Sequence, residues 1–111
     1  MATATSTNSD PLNRVPPQSI EAEQGVLGSI LLDNEVLHDV IPLLRREHFY
    51  REAHQKIYRT ICEIYERGAS ELDALILREE LKTRGLLDEV GGAPYLGEIL
   101  ASVPHAANAQ Y

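Results

Sequence analysis

What the chain lacks narrows its chemistry first. It has no Trp, one Phe and one Cys among 111 residues. A single Cys excludes an intrachain disulfide framework and suits a reducing compartment. Cys62 flanks a helical apolar stripe and reads as a small core side chain rather than a reactive thiol. No apolar run approaches the ~18 residues of a membrane span. The opening MATATSTNSDPLNR has neither an apolar signal core nor an Arg-rich amphipathic pattern, so a cytoplasmic setting is expected. The alternation of a half-buried strand is missing, as is any repeat of 20–50 residues. Cationic residues are outnumbered, ten against seventeen acids, for a net charge of −7. A module that neutralises phosphates is usually basic, so direct nucleic-acid binding by this domain is disfavoured.

Catalytic patterns are missing too. His38, His48, His54 and His105 contain no His-x-x-x-His pair, and no metal site is expected. His54 has Tyr50 and Tyr58 four positions away on either side, and a hydrogen bond to one of them is its expected role. The acid pairs Glu79-Glu80 and Asp88-Glu89 read as solvated surface. Neither Lys56 nor Lys82 follows a glycine, so there is no phosphate-binding Gly-Lys-Ser/Thr loop, and no Gly-x-Ser-x-Gly elbow exists. No catalytic or cofactor-binding residue is assigned, and the chain by itself is not expected to be an enzyme. Arg45, Arg46, Arg51, Lys56 and Arg59 gather half of the cationic side chains, a run read as a solvated face balanced by Glu47, Glu52 and Glu63.

What is present is helical periodicity. The sequence predicts an all-α fold, a compact bundle of five short helices with the start of a sixth. The central helix lies within Phe49–Gly68, with Tyr50, Ala53, Ile57, Ile61, Ile64 and Tyr65 on one face and Gly68 as a left-handed cap. Residues 1–17 are poor in large apolar groups and are expected to form a flexible tail. The first helix runs from Ser19, a good N-cap, to Leu32, with Glu21 and Glu23 in its first turn and Val26, Leu27, Ile30 and Leu31 as its stripe. Ala22, Gly25, Gly28 and Ser29 form a small-residue surface suited to close approach of the central helix. A second helix, capped by Asp33 or Asn34, carries Val36, Leu37, Val40, Ile41 and Leu44, and Pro42 should kink it or end it early.

Asp73 caps a fourth helix, with Leu72 stapled onto Leu77 and with Leu75, Ile76 and Leu81 as further apolar positions. Lys82, Arg84 and Gly85 mark its end, and Leu86 is placed to touch Leu81. The fifth helix starts near Ala93, has Pro94 at its first position, and turns Tyr95, Leu96, Ile99, Leu100 and Val103 inward until Pro104 stops it. The stretch 105–111, HAANAQY, reads as the opening turns of another helix without a capping signal, as expected of a fragment.

Several blocks carry a family resemblance. Pro16–Asp33 (PPQSIEAEQGVLGSILLD), Phe49–Gln55 (FYREAHQ), Arg84–Leu96 (RGLLDEVGGAPYL) and Val103–Tyr111 (VPHAANAQY) together resemble the N-terminal domain of bacterial replicative DNA helicases of the DnaB family. The likeness covers about residues 15–111 in order. The chain departs from the family at Pro42, at Ile76 in place of a more typical Thr, and in a stretch Ala69–Leu72 that is one residue longer.

The resemblance implies a collar domain over 18–104, followed at 105–111 by a helical hairpin that carries much of the subunit contact; Ala107 and Tyr111 would belong to that interface. It implies a hexameric parent whose ATP- and Mg²⁺-dependent unwinding resides in a separate RecA-like domain. It also implies primase, the helicase loader and other helicase subunits as partners, with no membrane. A chain ending inside the hairpin is expected to associate weakly. The alternative is a stand-alone all-α protein-interaction adaptor without a motor.

Overall fold

A computed structural model describes residues 19–68 and 71–103. Among them are five α-helices and no strand: α1 (Ile20–Leu32), α2 (Asn34–Val40), α3 (Glu52–Glu66), α4 (Ala74–Thr83) and α5 (Gly92–Ala101), with a 3₁₀ turn at Arg46–His48. The expected tail at 1–17, the stop at Pro104 and the sixth helix at 105–111 lie outside the described residues.

The capping residues behave as their chemistry dictates. Ser19 Oγ accepts from the Ala22 amide at 3.4 Å, Asp33 Oδ1 from Glu35 N at 3.0 Å, and Asp73 Oδ1 from Ile76 N at 2.9 Å. Helix α4 closes in a Schellman motif: Leu86 N donates to Leu81 O at 2.8 Å and Gly85 N to Lys82 O at 3.0 Å, with Gly85 at φ +73°. Pro42 ends α2 early, because it has no N–H to continue the ladder; Leu43 N and Leu44 N instead both turn back to Val40 O at 2.8 Å.

The core is the inward stripe of each helix: Leu27, Ile30 and Leu31 of α1, Leu37 of α2, Ile57, Tyr58, Ile61 and Ile64 of α3, Leu77 and Leu81 of α4, and Leu96 and Ile99 of α5. Phe49 and Val90 join from the connections. Asn34 fastens the α3–α4 connection like a short piece of strand: its Nδ2 donates to Leu72 O and its Oδ1 accepts from Leu72 N, both at 2.7 Å. Leu72 is thereby held buried in the same core cluster as Leu77.

Three expectations are corrected. Tyr50 is not on the inner face of the central helix: α3 begins at Glu52, so Tyr50 precedes the helical register and is 63% exposed. Leu75 and Ile76, whose burial the periodicity left open, point outward at 58% and 37% exposure, because a ten-residue helix packed along Leu77 and Leu81 has no second buried stripe. The small-residue surface of α1 does not serve α3. A Cβ on Gly28 would lie 2.5 Å from Ile99 O and from Val103 Cγ2, so Gly28 admits the backbone of α5, whereas Gly25 has nothing within 4 Å. Pro94 also falls two positions later than expected, at the third residue of α5 rather than the first, with Gly91 as N-cap at φ +113°.

Two of the five cations of the basic run, Lys56 and Arg59, are paired with acids. Lys56 Nζ lies 2.7 Å from Glu89 and 3.8 Å from Glu52, and Arg59 Nε 3.2 Å from Glu63. Across α3 and α4, Arg84 bridges Glu63 and Glu80 while Arg67 reaches Glu80 at 3.2 Å. These arginines hold the Glu63 and Glu80 carboxyls below the usual carboxylate range.

Candidate interaction site

A buried polar cluster sets the relative positions of α1, α3 and α5. Glu23 is only 8% exposed although charged, and His54 is fully buried. Glu23 Oε2 accepts from Tyr50 N at 2.6 Å and Oε1 from Arg51 N at 3.4 Å, which places a carboxylate at the positive end of α3. Glu23 Oε1 also lies 2.7 Å from His54 Nδ1, and His54 Nε2 lies 2.7 Å from the Tyr95 hydroxyl. That hydroxyl already accepts from Gln24 Nε2 at 3.0 Å and Arg51 Nη1 at 2.9 Å. Its own proton is therefore left for His54 Nε2, and the His54 tautomer is fixed: Nδ1–H donates to Glu23. The two rings stack with centroids 5.8 Å apart.

This arrangement favours the neutral form of His54. Burial pushes its pKa below 6.5, the nearby Arg51 charge acts in the same direction, and Glu23 opposes them. A Glu–His–Tyr line has the outline of a proton relay, yet the Tyr95 oxygen donates once and accepts twice. Its hydrogen-bonding capacity is used up, so it has no lone pair to offer an electrophile. The cluster acts as a clamp. Among the described residues no group of three His, Cys, Asp or Glu side chains is placed to hold a metal ion. No described helix is long and apolar enough to cross a membrane.

Two apolar surfaces are exposed among the described residues. Beside α1 lies an open groove of about 650 Å³, with Ala22, Gly25 and Ser29 as its floor, Val36 and Val40 of α2 and Leu43 as its wall, and Val103 at one end. Leu43 is 78% exposed. A smaller recess shares Ala22, Val26 and Leu44 with the groove and continues it to Phe49. Leu75 and Ile76 form a separate outward apolar pair on α4.

The interface residues expected from the resemblance, Ala107 and Tyr111, lie outside the described residues. Sequence reading assigned His54 to its helical neighbours, whereas its partners are 31 and 41 positions away. A signal was present. Glu23 stands four and seven residues before Leu27 and Ile30, and His54 three and seven before Ile57 and Ile61, so each is a polar residue in a core register.

Comparison with known proteins agrees with this architecture. The family model described as DnaB-like helicase N terminal domain matches residues 15–111. The chain is 48% identical over 103 residues to the replicative DNA helicase DnaB of Mycobacterium leprae, covering 93% of this chain and 17% of that protein. It is 45% identical over 98 residues to DnaB of Geobacillus stearothermophilus, covering 88% of this chain and 21% of the relative. Over 99 residues it is 46% identical to the replicative DNA helicase DnaC of Bacillus subtilis, covering 89% and 22%. The crystal structure of the N-terminal domain of DnaB helicase from Mycobacterium tuberculosis superposes with a TM-score of 0.76 at 49% identity, covering 86% of this chain and 68% of that one. The chain thus spans about a fifth of the length of these curated relatives. Five helices in the expected order, joined to a family match over nearly the whole sequence, make the chain a member of the DnaB-like helicase N-terminal domain family.

Proposed function

We propose that this chain is the N-terminal assembly and partner-docking domain of a cytoplasmic replicative DNA helicase. The observation that carries the reading is the alignment of proteins named replicative DNA helicases over 88–93% of the chain. In this reading the domain supports a six-membered ring of helicase subunits and recruits primase and the helicase loader. Unwinding is driven by ATP and Mg²⁺ in a RecA-like domain elsewhere in the parent. The domain itself neither turns over ATP nor grips DNA. Its charge of −7 and the ion pairing of Lys56, Arg59, Arg67 and Arg84 support that division of labour. A rigid clamp and outward apolar side chains suit a surface that is presented to other proteins.

Leu75 and Ile76 supply the apolar contact offered to primase. Titration of the chain with the same organism's primase, followed by calorimetry, tests this. Saturable binding that is lost in L75D/I76D is expected. Absence of binding by the unaltered chain, or ATP turnover by it, contradicts the reading.

A further inference from the structure

We propose that His54 and Tyr95 form a proton-operated latch on α5: a proton entering at His54 Nε2 displaces the Tyr95 hydroxyl and frees the first turn of α5, while Glu23 keeps α1 and α3 joined. Among the described residues, the Tyr95 hydroxyl makes every side-chain hydrogen bond from α5 to another helix or its cap. It reaches Gln24 of α1, Arg51 at the start of α3 and His54 within α3. Displacing this one oxygen removes the whole set.

The donor and acceptor roles make the latch sensitive to a single proton. The Tyr95 O–H donates to His54 Nε2, and the Tyr95 oxygen accepts from the Gln24 amide and from Arg51 Nη1. A protonated Nε2 is itself a donor, and it then faces a hydroxyl with no lone pair left to offer. Tyr95 must withdraw, or give up Gln24 or Arg51. His54 Nδ1–H stays on Glu23 Oε1 at 2.7 Å in both states, and the added charge turns that bond into an ion pair. The proton therefore exchanges a bond between α3 and α5 for a stronger one between α1 and α3. The charged groups acting on His54 are Glu23 of α1 and Arg51 at the start of α3; α5 contributes the Tyr95 hydroxyl, and Phe49 packs against the imidazole edge to face. Burial and Arg51 hold the proton off near neutral pH, and Glu23 draws it in as pH falls.

The backbone supplies a hinge. Gly91 and Gly92 open α5 at φ +113° and +78°, and a Cβ on Gly91 would lie 2.7 Å from Tyr95 Cβ. Two left-handed glycines beside Tyr95 can absorb a swing of the first turn. The bond to Arg51 is exposed and Gln24 is half-buried, so water can take the place of the hydroxyl at both. Leu96 and Ile99 remain in the core, and Gly28 keeps the later part of α5 against α1, which confines the motion to the N-terminal end.

The test follows the 111-residue chain by NMR from pH 7.5 to about 5, reading the His54 ring nitrogens, the Tyr95 ring and the backbone amides. Nδ1 should stay protonated throughout while Nε2 gains a proton. The Tyr95 ring and the Tyr95 and Leu96 amides should shift with the same midpoint, and the Leu77 and Leu81 amides should hold still. In Y95F the neutral imidazole loses its donor, so His54 should bind the proton about two- to ten-fold more tightly and the α5 amides should lose their response. Protonation of Nε2 that leaves Tyr95 and Leu96 unmoved overturns the proposal, as does an α5 response that survives in Y95F. Leu77 and Leu81 shifting at the same midpoint would mean unfolding of the whole domain and overturn it as well. So would a His54 that takes up no proton while the domain stays folded.

Discussion

Removing the Glu23 carboxylate should loosen the domain more than its place in the first turn of a helix suggests. In E23A the buried His54 Nδ1–H loses its acceptor, and the Tyr50 and Arg51 amides lose the carboxylate that caps α3. An orphaned buried donor costs about 1–3 kcal/mol and a lost helix cap about 0.5–2 kcal/mol, together about 2–5 kcal/mol. Against a domain stability of about 5–15 kcal/mol this is a large share. Urea unfolding followed by far-ultraviolet circular dichroism reads it directly: the midpoint should fall by roughly 1–3 M with an unchanged slope. E23Q keeps the shape but sets an amide NH₂ against N–H donors, so it should fall between the two. H54A should cost less in the E23A background than alone, since the shared bond is already gone. A midpoint in E23A equal to that of the unaltered chain would refute the clamp.

Further outcomes follow from single positions. The lowered His54 pKa means that the unfolded chain binds the proton more readily, so stability should be complete above about pH 6.5 and fall as pH drops toward the lower folded value. Urea midpoints between pH 7.5 and about 5 check this, and H54N, which keeps a donor toward Glu23, should flatten that window. The two glycines of α1 should behave oppositely. G25A should stabilise by up to about 1 kcal/mol through helix propensity, whereas G28A should cost about 1–3 kcal/mol by forcing α5 away, both read as shifts in thermal midpoint. N34A should cost about 1–2 kcal/mol by releasing the Leu72 backbone, with faster amide exchange at Leu72 as its local signature; unchanged exchange would count against the Asn34 anchor.

These positions also divide what a sequence can disclose from what it cannot. Ser19, Asp33, Asp73, Gly68 and Gly85 were readable because caps act over three or four residues, and Pro42 because a missing N–H has only local consequences. Tyr50 was misplaced because its apolar spacing continues a register that the backbone has not yet entered. Leu75 and Ile76 carry apolar side chains in helical spacing, but whether a neighbour covers them depends on the tertiary arrangement. Gly28 announced a close approach without naming the approaching helix, since α5 is some seventy positions away. The clamp was hidden for the same reason: Glu23, His54 and Tyr95 meet only after three helices have packed.

The measurement that tests the central claim most directly is the coding sequence downstream of the Tyr111 codon. A reading frame that continues into a Gly-x-x-x-x-Gly-Lys-Ser/Thr segment between a strand and a helix is the predicted result, joining this domain to an ATP-driven motor. A stop codon soon after Tyr111 would contradict the helicase account and leave an all-α adaptor in its place.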